Sequence, residues 1–361
     1  MSLRVIISGG GTGGHIFPAI AIAKAILRER PDAAILFVGA EGRMEMEKVP
    51  QAGFKIIGLP IMGIQRRLTL QNLKVPFKII ASILKARKII REFKPDIAIG
   101  VGGYASGPLL RTASSMGVKT LIQEQNSYPG ITNKILSKKA EKICVAYDNL
   151  EAFFPKEKIV LTGNPVRAEV TQIQNKKVEA FNHFDLNSDK PVLLVIGGSL
   201  GALTINRAIE KFAETLTARG LQIIWQTGKN FKSERAHSLP GVHAHTFIKE
   251  MDYAYAAADI IVSRAGAMSI SELCLVKKPC ILVPSPNVSE DHQTKNAMAL
   301  VNKGAAVLVK DSEAINDLEN AILELKTNQD LCATMSKNIA ELGHPEADRL
   351  IASQVFKICG K

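Results

Sequence analysis

Short, almost continuously apolar runs recur along this chain. Each is cut by glycine or polar turn residues and followed by a stretch with helical spacing. Residues 3–8 read as a strand, 9–14 as a glycine loop, 15–30 as a helix closed by Pro31, and 34–38 as the next strand. Runs without polar alternation suit strands buried on both faces, and strands that alternate with helices predict a parallel sheet. Further strands are predicted at 97–101, 120–123, 142–146 and 159–161, the first two ending in Gly102-Gly103-Tyr104-Ala105-Ser106-Gly107-Pro108 and Glu124-Gln125-Asn126.

The texture changes at Gly163-Asn164-Pro165-Val166-Arg167, and the next 20 or so residues are polar. At Pro191 the pattern restarts, with a strand at 192–196, a loop at 197–202, a helix at 203–219 and strands near 222–226, 242–247, 259–262 and 280–283. Two strand-loop-helix glycine turns, about 190 positions apart, predict an α/β fold of two doubly wound, Rossmann-like parallel-sheet domains facing across a cleft. The boundaries expected are 1–163 and 164–344, with a last helix at about 345–361 packing back on the first domain.

Composition narrows the class. At 361 residues, 46% hydrophobic and 22% charged, the chain suits two globular domains. It has no apolar run long enough to span a bilayer, and its first residues lead directly into a strand, which leaves no room for a signal peptide; a cytosolic protein is expected. Five scattered cysteines without a C-x-x-C pair read as reduced core thiols. A formal charge of +12 predicts an anionic partner. From Arg66 to Lys94 there are nine basic residues and a single acid, Glu92; Ile79, Ile83, Ala86, Ile90 and Phe93 share one helical face, and Lys74, Lys78, Lys85 and Lys88 the opposite one. Apolar residues at 61–64 and 68–70 adjoin this charge, so 61–94 is read as a contact with an anionic membrane surface. No zinc spacing, recognition helix or basic sheet with interleaved aromatics points to nucleic acid.

The chemistry is concentrated at the ends of the strands. Gly9, Gly11 and Gly14 fit G-x-G-x-x-G, and with Glu41 after the second strand an NAD(P)-dependent oxidoreductase is one reading. His15 at the start of the helix supports another: an imidazole there can take a proton from a sugar hydroxyl, and the helix N-terminus favours its neutral form. The turn Arg264-Ala265-Gly266-Ala267-Met268-Ser269-Ile270-Ser271-Glu272 aims backbone N–H groups at one spot suited to a phosphate, with Glu272 one turn in and placed for ribose hydroxyls. Ser199 is a phosphate ligand or an N-cap. Asp291, His292, Gln293 and Asn296 offer groups for sugar hydroxyls, and Arg167 a cation for a phosphate or base. His183, His237, His243 and His245 read as structural, and no cluster has metal-ligand spacing. A sugar-nucleotide binding module without turnover is a third reading.

Seven segments, in order, resemble the MurG family of peptidoglycan N-acetylglucosaminyltransferases, two-domain enzymes of the GT-B type: 10–18, 102–108, 124–126, 163–167, 197–202, 264–272 and 292–297. The resemblance implies inverting transfer of N-acetylglucosamine from UDP-N-acetylglucosamine to the C4 hydroxyl of undecaprenyl-pyrophosphoryl-N-acetylmuramoyl pentapeptide. It thereby implies a part in cell-wall synthesis, cell shape and division, and a peripheral place on the cytoplasmic face of the inner membrane. By position it implies Thr12, Gly13, Gly14, Asn126, Arg167, Ser199, Ile248 (through its backbone, to uracil), Ala267, Met268, Ser269, Ile270, Ser271, Glu272 and Gln293 as donor-binding residues. His15 is implied as the base, with Tyr104 and Glu124 near the acceptor, and no metal or cofactor. Other GT-B enzymes, such as lipid glycosyltransferases or UDP-N-acetylglucosamine 2-epimerases, are the nearest alternatives. Gln123 departs from the pattern, since a member has His there.

Overall fold

The computed structural model describes residues 2–62, 75–198 and 200–361. It divides into two compact units at Val166/Arg167, with Glu346–Lys361 returning to the first.

The first unit runs β1 (Arg4–Gly9), α1 (Gly13–Glu29), β2 (Ala34–Ala40), α2 (Glu45–Gln51), β3 (Lys55–Leu59), α3 (Val75–Phe93), β4 (Ile97–Gly102), α4 (Ser106–Ser115), β5 (Lys119–Glu124), α5 (Ile131–Ser137), β6 (Lys142–Val145) and β7 (Ile159–Leu161). Its seven strands are all parallel, in the order β3-β2-β1-β4-β5-β6-β7. Alternation along β1 builds two cores: Val5 and Ile7 face α1 residues such as Ile16 and Ile26, whereas Ile6 faces Ala86 and Ile90 of α3. The chain's last helix (Ala347–Cys359) adds Ile351, Ala352 and Val355 to the α1 side. At the rim Arg28 pairs with Asp348 at 2.5 Å. The strand β3 has no counterpart in the sequence reading; five residues with a lysine at one end and a glycine inside give a weak periodic signal.

In the second unit α6 (Lys177–His183) precedes β8 (Val192–Ile196), α7 (Leu203–Ala218), β9 (Gln222–Gln226), α8 (Glu234–Ser238), β10 (Val242–His245), α9 (Met251–Ala257), β11 (Ile260–Ser263), α10 (Ala267–Val276), β12 (Cys280–Leu282), α11 (His292–Val301), β13 (Val307–Leu308), α12 (Ala314–Thr327) and α13 (Gln329–Ala340); α14 is the returning helix. Six parallel strands lie in the order β10-β9-β8-β11-β12-β13. The core is the apolar side of β8, β9 and β11 against Ile205, Ile209, Phe212 and Leu216 of α7, with Trp225 fully buried.

In both sheets the chain first winds outward from one central strand and then returns to that strand's other side. The switch points are therefore β1/β4 and β8/β11, and the loops leaving the carboxyl ends of those strands are where ligands of such sheets bind. All of the glycine loops singled out in the sequence are at these positions.

The α3 face differs from its prediction. Ala86, Ile89 and Ile90 are buried, but Ile79, assigned to the buried face, is exposed, as are Phe77, Ile80 and Leu84. The cause is local: only the second half of α3 lies on the sheet core. Residues 63–74, with Arg66, Arg67, Lys74 and the apolar 68–70, lie outside the described residues, as does Ser199. Among the described residues no helix is long and apolar enough to cross a membrane.

Candidate active site

In the first unit the helix α1 begins two residues earlier than predicted, so Gly13, Gly14 and His15 form its first turn after Thr12. The His15 Nδ1 lies 3.0 Å from the Gly10 carbonyl oxygen, with Thr12 Oγ1 3.4 Å away. A carbonyl can only accept, so Nδ1 carries the proton, and in the neutral ring the lone pair is then on Nε2. The ring rests on Gly102 in the β4 turn, where φ is +109° and a methyl group would stand 2.6 Å from its Cδ2; only glycine fits. Gly10 N–H donates to Gly102 O at 3.3 Å, joining the two loops of the switch point. Tyr104, two residues on, is half exposed.

Glu124, expected near the acceptor, is a buried, hydrogen-bonded carboxylate. It is 2% exposed; one carboxylate oxygen accepts the backbone and side-chain N–H of Asn126 at 3.0 and 3.2 Å, the other Asn133 Nδ2 at 2.8 Å and Gly130 N–H at 3.3 Å. As placed it shapes the loop between β5 and α5, and Asn126 is part of that turn. Behind it Gln123, Gln125 and Asn164 form a buried amide network: Gln123 Nε2 donates to Asn164 Oδ1 at 2.8 Å, and Asn164 Nδ2 to Gln125 O at 3.0 Å. Glu41, the acid of the dinucleotide reading, is paired with Lys85 at 2.7 Å.

The second unit holds an open cavity of about 460 Å³ lined by Gly197, Gly198, Thr204, Arg264, Ser269 and Gln293, among others, within the size range of small-ligand sites. Its floor is made by a close approach: Gly201, at φ +81°, leaves no space for a methyl group beside Thr227 O, 2.1 Å from where one would stand. The N-terminus of α10 opens on it, and by helix geometry the amides of Ala267, Met268 and Ser269 have no intrahelical acceptor. Gln293 accepts the Ser285 N–H at 2.9 Å, so its amino end is the group offered to a ligand. Arg264 is held by Asp311 at 2.5 Å and by the Val283 and Pro284 carbonyls, while Asp311 also accepts the Thr204 hydroxyl at 3.0 Å.

Several predicted residues also have partners within this unit. Ile270 is a core residue, and the Ser271 hydroxyl donates to Ala267 O at 3.0 Å, so neither side chain lines the cavity. Asn296 is fully buried on Ala265 O, and Asp291, just before α11, accepts the Thr294 hydroxyl; of the 291–296 group only Gln293 lines the cavity. Ile248 donates its N–H to Gln226 Oε1 at 2.9 Å, and Gln226 Nε2 donates to Gly198 O at 3.0 Å. Gln226, unremarked in the sequence, thus ties the glycine loop to the Ile248 segment.

Glu272 is 8% exposed, with Arg167 Nε and Nη2 on Oε1 at 3.0 and 2.9 Å and Tyr255 Oη on Oε2 at 2.8 Å. Burial, then the Glu272 charge, push the Tyr255 hydroxyl well above its ordinary value, so it stays a donor. Burial disfavours the Arg167 cation, but Glu272 outweighs it and holds Arg167 above its usual range. A carboxylate has about four lone-pair directions; three are taken here, and the one left on Oε2 can accept a single hydroxyl. Tyr255 was missed because a lone tyrosine in the short helix Met251–Ala257 carries no pattern of its own.

Comparison with known proteins decides the family. The glycosyltransferase family 28 N-terminal domain matches residues 5–145 and its C-terminal domain residues 192–351. The UDP-N-acetylglucosamine--N-acetylmuramyl-(pentapeptide) pyrophosphoryl-undecaprenol N-acetylglucosamine transferase of Cytophaga hutchinsonii is 58% identical over 356 residues, 98% of this chain and 96% of that protein. The chain belongs to this transferase family. The enzyme of the same name from Bacteroides thetaiotaomicron is 55% identical over 363 residues, 99% of this chain and 98% of its own length. The crystal structure of Acinetobacter baumannii MurG, 28% identical, superposes with a TM-score of 0.79 over 98% of this chain and 99% of that one. The GT-B architecture of two parallel-sheet domains follows, and the family is one of glycosyltransferases, not oxidoreductases.

Proposed function

We propose that this chain transfers N-acetylglucosamine from UDP-N-acetylglucosamine to the C4 hydroxyl of undecaprenyl-pyrophosphoryl-N-acetylmuramoyl pentapeptide, with inversion, completing the lipid-linked disaccharide used for peptidoglycan. Near-full-length kinship with transferases of that name is the observation that carries the reading. His15 is the base: the acceptor oxygen forms its bond to the anomeric carbon while its proton passes to Nε2, and the bond from that carbon to the diphosphate breaks, releasing UDP. Charge developing on the leaving diphosphate is met by the α10 N-terminus and the 197–202 loop. Gln293 donates to the sugar, the Ile248 carbonyl accepts the uracil imide N–H, and Glu272 takes a ribose hydroxyl.

With a lipid-linked acceptor, we infer a peripheral position on the cytoplasmic face of the membrane. Exposed Phe77, Ile80 and Leu84 beside Arg87, Lys88 and Arg91 of α3 support that reading. Incubation with UDP-N-acetylglucosamine and a short-chain lipid-linked muramoyl pentapeptide is expected to release UDP and give a β-linked disaccharide, detected by mass spectrometry and NMR. Conversion of the donor to its 2-epimer with no disaccharide would overturn the proposal in favour of an epimerase.

A further inference from the structure

Glu45, the first residue of α2, is a carboxylate only 1% exposed. Its Oε1 accepts the Ala40 N–H at 3.0 Å and its Oε2 the Gly11 N–H at 2.9 Å. That N–H and the Gly10 carbonyl belong to one peptide group, and the same carbonyl accepts His15 Nδ1–H at 3.0 Å. Carboxylate, peptide and imidazole therefore form a single row of hydrogen bonds. An anionic acceptor on an amide N–H draws electron density toward the carbonyl oxygen, which makes that oxygen a stronger acceptor. The packing reserves the place: a methyl group on Gly10 would stand 2.2 Å from Oε1. Lys48, on the same helix, is turned to Glu47 and Gln51 at 3.3 and 3.0 Å.

We infer that Glu45 is a positioning residue of the transfer reaction, acting on His15 through the Gly10–Gly11 peptide. It holds the ring in the Nδ1–H tautomer and stabilises the imidazolium formed when Nε2 takes the acceptor proton; no proton reaches Glu45. This rests on the reading of His15 as the base. The same buried charge disfavours a phosphate at the first glycine loop, which leaves the diphosphate to the loop of the second unit.

Glu45→Gln in the full chain keeps the shape and removes the charge. It is expected to lower kcat about tenfold with KM for UDP-N-acetylglucosamine within about twofold. Without the anion the imidazolium is less stable, so the acidic limb of the kcat–pH profile should move to lower pH by roughly half a unit. In a His15→Ala background the same change should cost less than about twofold more, because the two act as one unit. An unmoved limb, or an undiminished further loss beside His15→Ala, would overturn the relay and leave His15 in its role; near wild-type turnover of His15→Ala alone would instead remove the base. A second readout needs no Glu45 variant: ¹⁵N NMR of the wild-type chain should show His15 protonated at Nδ1 and the Gly11 amide proton far downfield. An Nε2–H tautomer would contradict the inference.

Discussion

At the scale of single residues, the chemistry depends on which lone pairs and protons are already committed. His15 stands out in the sequence because it follows a glycine loop at a helix start and the strand before it is unmistakable. Glu124 stood out in the sequence, but nothing in Glu-Gln-Asn reveals that Asn133 folds back on its carboxylate. Glu45 and Tyr255 were not seen, since their partners are 34 and 17 positions away, at Gly11 and Glu272. The Arg167–Glu272–Tyr255 group yields a prediction at this scale. Glu272→Ala should weaken UDP binding about tenfold by calorimetry, whereas Tyr255→Phe should cost about 1–3 kcal/mol of stability by leaving a buried carboxylate short of a donor. Unchanged UDP affinity in Glu272→Ala would remove the ribose contact.

Individual elements were easier to read than their edges. Continuous apolar runs located β1, β4, β8 and β9 because both faces of those strands are buried. The peripheral β3 is buried at only one end and has a lysine and a glycine in its five residues, and β13 has only two residues. On the edge strand β10, His243 and His245 are held below the ordinary imidazole value of 6.5. Burial is the first cause for both; Asp185 opposes it at His243, and the charges of His243, His183 and His237 add to it at His245. The buried His245 Nε2 has no hydrogen-bond partner. A histidine depressed in the folded state takes up protons more readily when unfolded, so stability is full above about pH 6.5 and declines as pH falls below it. Thermal unfolding followed from pH 7.5 to 5.5 should show a falling Tm that flattens in His243→Gln/His245→Gln; an equal slope in the double variant would contradict this cause.

For the molecule as a whole, each unit carries its glycine loop at the same place, the switch point of its own sheet. Charge adds a surface property. The exposed apolar residues of α3 lie among lysines and arginines, so the chain should bind vesicles containing anionic lipid, with affinity falling as salt rises. Phe77→Asp/Ile80→Asp/Leu84→Asp should reduce that binding at least tenfold while leaving UDP affinity unchanged; equal vesicle binding would place the contact elsewhere.

The central claim is that the His15 imidazole removes the acceptor's proton. Its most direct test is steady-state turnover of His15→Ala with UDP-N-acetylglucosamine and a short-chain lipid acceptor, alongside calorimetric UDP binding. The account predicts a kcat lower by about 100-fold or more with UDP affinity within about twofold; a kcat close to wild type would contradict it.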